Sequence, residues 1–206
     1  MTAVVQHLSK SPAVAAWQVE NEPMDRSGTQ WDNGNTQLRW FIGADFVAQE
    51  VAAVRRYGGG RPIVINAWCD DQTQSSAPWS DSSYAVRNAL SLADVLGLDV
   101  YPRAPTSDNY RRRTIDLPTR YMAWARGKGK QAWIIESQAE PWPANPTTPS
   151  GPKTYDAGAM DWLVDRHSEQ GYKVVFLWGF EWWYERHLRK DDNMWKAASW
   201  LGLYRK

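Results

Sequence analysis

Val95-Leu96-Gly97-Leu98-Asp99-Val100-Tyr101-Pro102 is the stretch that decides the fold. It is apolar with no polar alternation, which reads as a strand buried on both faces, and Pro102 stops it. Comparable runs recur on either side. Ala13 to Val19, Pro62 to Trp68, Gln131 to Glu136 and Tyr172 to Trp178 read as further strands.

Helical patterns alternate with these strands. Thr36 to Tyr57 reads as an amphipathic helix with Phe41, Ala44, Val47, Ala48, Val51 and Val54 on one face, ended by Gly58-Gly59-Gly60. Asp81 to Asp94, Asn109 to Arg126, Tyr155 to Gln170 and about Asn193 to Leu203 are the next helices, and Val4 to Leu8 reads as the end of a helix feeding the first strand. Pro141 to Pro152 holds five prolines and reads as a loop. Strand-helix alternation with buried strands implies βα units and a parallel sheet. The glycine cluster at 58–60 follows a helix and precedes a strand, the wrong order for a dinucleotide fingerprint.

Residues with chemical potential sit at strand carboxyl ends: Glu22, Trp68, Tyr101, Glu136 and Trp178. That distribution is the active face of a (β/α)8 barrel. The expected fold is therefore α/β, a partial (β/α)8 TIM barrel of about the last five βα units (strands 4 to 8). The whole chain, 1–206, forms one domain lacking the first three units. Such a barrel leaves sheet edges open, so self-association through those edges is expected.

Composition narrows the function. The chain has 206 residues, 43% of them hydrophobic, enough to bury a core, and a net charge of +1 points to neither nucleic acid nor an acidic partner. The single cysteine, Cys69, excludes an internal disulfide and a Cys-based metal site. No apolar run is long enough for a membrane span, about 18–20 residues. The first residues, Met1 to His7, lack the basic and apolar segments of a signal peptide, so none is expected.

Two carboxylates carry the chemistry. Glu22 lies in Trp17-Gln18-Val19-Glu20-Asn21-Glu22-Pro23, and Glu136 in Trp133-Ile134-Ile135-Glu136-Ser137-Gln138-Ala139-Glu140-Pro141. A carboxylate pair facing one cavity is the minimum equipment for cleaving a glycosidic bond. The 14 tryptophans offer flat aromatic faces to the apolar C–H faces of sugars.

With these motifs the sequence resembles the second half of the retaining glycoside hydrolases on (β/α)8 barrels, most like the cellulase and β-mannanase family. The resemblance implies that Asn21-Glu22 ends strand four of that barrel, with Glu22 as general acid/base and Asn21 on the sugar 2-hydroxyl. It implies Glu136 as nucleophile at the end of strand seven, about 5–5.5 Å from Glu22, the separation for retention. Glu22 would then hold its proton near neutral pH while Glu136 stays ionised. Tyr101 matches a tyrosine that hydrogen-bonds the nucleophile, and Trp178 matches a tryptophan flooring the cleavage point. Asp99 stands where many relatives carry histidine. An arginine and a histidine that the family takes from early strands have no counterpart here.

Trp68 and Trp182 are further candidates for sugar subsites. Glu20 and Glu140 are rival carboxylates by proximity, and the competing reading of Trp178 is a core residue. His7, His167 and His187 read as surface or packing residues, and Asp191-Asp192 as loop or helix-capping acids. The expected function is hydrolysis of a β-linked oligo- or polysaccharide with no cofactor, no nucleic acid and no membrane. The alternative is a non-catalytic carbohydrate-binding half-barrel or an inactive fragment of such an enzyme.

Overall fold

The computed structural model describes residues 1–24, 29–31, 37–39, 42–69, 82–102, 111–141 and 155–203. Phe41, Asp81, Asn109 and the proline-rich loop past Pro141 lie outside the described residues. The elements run α1 (Thr2–Leu8), β1 (Trp17–Gln18), β2 (Thr29–Trp31), β3 (Gln37–Arg39), α2 (Ala44–Tyr57), β4 (Ile63–Trp68), α3 (Ser82–Leu92) and β5 (Val95–Val100). A π-helical stretch, Arg112–Asp116, leads into α4 (Leu117–Gly127). β6 (Gln131–Gln138), α5 (Ala157–Gln170), β7 (Val175–Trp178), α6 (Phe180–Leu188) and α7 (Asn193–Leu203) complete the described chain.

The main sheet has the order β1-β4-β5-β6-β7, and β1–β4 and β6–β7 pair in parallel. This is a partial (β/α)8 barrel, as the apolar runs imply. By packing density the chain divides into two compact units, Met1–Leu98 with Arg120–Trp133 and Asp99–Thr119 with Ile134–Lys206.

In the first unit β4 is buried from Ile63 to Ala67, and α2 turns Val47, Val51 and Val54 inward. Asp94 ties strand to helix. Its Oδ2 accepts the Ile63 N–H at 2.9 Å, and the carboxylate takes both Arg55 guanidinium nitrogens. The Arg55 bonds hold Asp94 below the usual carboxylate range. Lys130 Nζ donates to the carbonyls of Leu90 and Ala93 at the end of α3, at 2.7 and 2.6 Å. Burial lowers its pKa.

In the second unit α5 is capped at both ends. Asp156 accepts the Ala159 N–H at 2.8 Å, and Gly171 closes the helix at φ 95°. His167 is fully buried 3.3 Å from Ser137 Oγ and edge-on to Tyr172. Burial lowers its pKa to about 4, which makes it a neutral packing residue.

Four expectations need correction. The helix expected from Thr36 begins at Ala44, because Gly43 holds φ 91° and Gln37–Arg39 instead pairs antiparallel with Thr29–Trp31. The strand expected over Ala13 to Val19 shrinks to Trp17–Gln18. Arg61 explains this: its guanidinium donates to the carbonyls of Ser9, Ser11 and Val14 and straps the preceding segment as a loop. Within the helix expected over Asn109 to Arg126, Arg112–Asp116 is π-helical. Pro118 cannot donate to Thr114, and Gln170 Nε2 takes up the carbonyls of Thr114 and Ile115 at 2.9 and 3.1 Å. Finally, the strand expected over Tyr172 to Trp178 begins at Val175, and α6 follows it.

Candidate active site

In the first unit the site is built at the end of β1. The ladder onto β4 runs Trp17 N–H to Pro62 O at 2.9 Å and Val19 N–H to Val64 O at 3.0 Å. Beyond Val19 the backbone turns sharply: Glu20 has φ 61° and Glu22 has φ 47°. Residues with a Cβ in that left-handed region cost about 1–3 kcal/mol each, and such strain concentrates at functional sites. Asn66, inside β4 and 1% exposed, spans the turn. Its Oδ1 accepts the Glu22 N–H at 2.9 Å, and its Nδ2 donates to Asn21 Oδ1 at 2.7 Å. Pro23 O then accepts the N–H groups of Ile42 and Gly43, closing the excursion that contains β2 and β3. Asn21 is exposed, Glu22 is half-buried, and Trp68 at the end of β4 is half-buried. The rival Glu20 is exposed beside Glu50 of α2, whose carboxyl is pushed up by burial and by the Glu20 charge.

The second unit carries its own candidate residues on β6. Its register against β7 slips between Ile134 and Ser137, so Ile135 and Glu136, both half-buried, break the inward-outward alternation. Such a bulge re-aims side chains and is common beside active sites. Tyr101, just past β5 and 3% exposed, donates its Oη–H to Glu136 Oε2 at 2.6 Å. Burial raises the Glu136 pKa, and the Tyr101 bond, which stabilises the charged carboxylate, works against it.

The end of β6 is clamped. Ala139 N–H donates to Trp178 O at 2.9 Å, and Trp183 Nε1 donates to Ala139 O at 2.5 Å. Trp178 is 48% exposed, so it is not a core tryptophan. Trp182 is half-buried with the Arg186 guanidinium 5.8 Å from its ring centre. His187 bonds Asp192 at 2.8 Å, and Asp191 pairs with Arg186. Among the described residues no cluster of three His, Cys, Asp or Glu side chains could hold a metal ion, and no helix is long and apolar enough to cross a membrane.

Sequence reasoning passed over Asn66, although a lone amide inside Ile63-Val64-Ile65-Asn66-Ala67 was a visible signal. Trp183, which sequence reasoning weighed beside Trp182 as a stacking surface, is instead buried with its indole N–H on Ala139 O.

No family model and no curated protein matches this chain. Solved structures do resemble it. The β-galactosidase from the psychrophilic Marinomonas ef1 matches with a TM-score of 0.54 and 18% identity, over 86% of this chain and 35% of that one. The polyextremophilic β-galactosidase from the Antarctic haloarchaeon Halorubrum lacusprofundi matches with a TM-score of 0.50 and 16% identity, over 86% and 34%. The chain thus spans about a third of the length of these neighbours. At such identities the likeness establishes the fold alone, a partial (β/α)8 barrel. It gives no support to the narrower cellulase and mannanase resemblance.

Proposed function

We propose that this chain carries the catalytic carboxylates of a retaining β-glycoside hydrolase, with Glu136 as nucleophile and Glu22 as general acid/base. The observation that carries the reading is Glu136 itself: half-buried on a bulged strand end, with the Tyr101 hydroxyl on its Oε2. In this mechanism the Glu136 carboxylate attacks the anomeric carbon while Glu22 protonates the departing oxygen. Water, deprotonated by Glu22, then releases the sugar with its configuration retained. Burial raises the Glu136 pKa, and the Tyr101 bond offsets part of that rise in favour of the charged carboxylate. Asn21 would bond the sugar 2-hydroxyl, with Trp178, Trp68 and Trp182 supplying aromatic faces.

The fold neighbours make β-galactosides the first substrates to try, with β-glucosides and β-mannosides beside them. Glu136→Gln should abolish turnover of an aryl β-glycoside. Glu22→Ala should lose turnover and regain it with azide, giving a glycosyl azide of unchanged anomeric configuration. Full activity in Glu136→Gln would end the reading.

A second reading, carbohydrate binding without cleavage, is favoured by the aromatic exposure along β7 and α6: Phe176 53%, Trp178 48% and Phe180 56%. Oligosaccharide that quenches tryptophan fluorescence and is recovered intact would support it.

A further inference from the structure

We propose that Asn66 is a positioning residue that holds the Asn21-Glu22 turn in place. The role assigned to Glu22 rests on the reading above; the clamp itself rests on geometry. The β1–β4 ladder advances from Pro62 to Val64, and its next acceptor position falls on Asn66. There the side-chain Oδ1 receives the N–H of Glu22. Glu20 and Glu22 are both left-handed, so the backbone has left the straight path of a strand. A side chain reaching out from β4 bridges the gap that this departure opens.

The residue type is narrowly constrained. Asn66 accepts from Glu22 with its oxygen and donates to Asn21 with its nitrogen. A primary amide is the short side chain that presents an acceptor and a donor in one plane. Asn66 is also fixed from below: it is 1% exposed, with Ile65 and Ala67 fully buried on either side. The clamp is thus part of the rigid strand, and it holds the exposed Asn21 and the half-buried Glu22, whose φ is 47°. A site residue supported in this way is pre-organised by its neighbour rather than by its own packing.

Two variants of the full chain test this, Asn66→Ala and Asn66→Asp. The first readout needs no substrate: amide hydrogen exchange at Glu22. In Asn66→Ala that exchange should rise about tenfold, the factor for one net hydrogen bond, while Val19 and the amides of β4 keep their rates. Asn66→Asp retains the acceptor and should leave Glu22 close to wild type. Unchanged Glu22 exchange in Asn66→Ala, or a uniform rise across β4, overturns the proposal.

The second readout separates positioning from general damage. A 2,4-dinitrophenyl glycoside leaves without protonation, whereas an alkyl glycoside needs the acid. Asn66→Ala should therefore lose at least about tenfold more kcat on the alkyl glycoside, with KM little changed. Equal losses on both would show that Asn66 does not act through Glu22. If the wild-type chain cleaves neither glycoside, the hydrolase reading falls, and the exchange result still decides whether Asn66 holds the turn.

Discussion

Gly179→Ala should be among the most damaging single-methyl additions in the second unit. Gly179 sits between β7 and α6 at φ 145°, and a Cβ there would lie 3.0 Å from Ala139 C, Ala139 O and Trp183 Nε1. The backbone conformation alone costs a non-glycine residue about 1–3 kcal/mol. Overpacking against atoms that cannot easily yield adds about 1–3 kcal/mol. The sum centres near about 4 kcal/mol, which for a chain of this length lowers Tm by about 8 to 16 °C. Near-UV circular dichroism, with several tryptophans close to the site, follows the transition. Trp183→Phe is the companion variant: it removes the indole bond to Ala139, which contributes about 1 kcal/mol, together with part of a buried ring. The two changes should be less than additive, because the indole nitrogen is one of the atoms the new methyl strikes. A Gly179→Ala protein within about 0.5 kcal/mol of wild type, the range of neutral surface changes, would refute the reasoning.

Three further outcomes are expected. Tyr101→Phe removes the donor that favours the charged form of Glu136, so its pKa rises and the acid limb of the pH–rate profile moves to higher pH; an unmoved limb would contradict this. Glu50→Gln should raise Tm at pH 7 and change it little at pH 4. A carboxyl raised in the folded state lends stability only at low pH and loses it as pH rises through the folded pKa, so a melting series across that range gives the answer. Arg61→Ala should cost about 2 to 3 kcal/mol by freeing the carbonyls of Ser9, Ser11 and Val14, and Arg61→Lys should not restore it, since an ammonium lacks the planar fork; denaturant unfolding would show both.

The parts of the fold legible in the sequence were those governed by local pattern. Ile63–Trp68 and Val95–Val100 are apolar runs broken by Asn66 and Asp99 respectively, buried because both faces are covered, and that covering is what a run without alternation reports. What escaped depended on distant partners or on special backbone. Ala13 to Ala16 looks strand-like, and only Arg61 makes it a loop. The π-helical turn at Arg112–Asp116 follows from Pro118 together with Gln170, residues far apart in sequence.

The candidate site divides in the same way. Glu22, Glu136, Tyr101 and Trp178 could be named because strand ends are visible as places where apolar runs stop. The bulge that displaces Glu136 and the amide clamp on Glu22 were not visible, since register and side-chain bridging between strands leave no periodic trace.

The most direct measurement is covalent trapping. The chain would be incubated with a 2-deoxy-2-fluoro β-galactoside bearing a dinitrophenyl leaving group, digested, and its peptides weighed. A peptide containing Glu136 that is heavier by one fluorosugar, and absent from the Glu136→Gln digest, is the result expected of a retaining nucleophile. A fluorosugar on another residue, or steady hydrolysis of the unfluorinated glycoside with no adduct formed, would contradict the assignment.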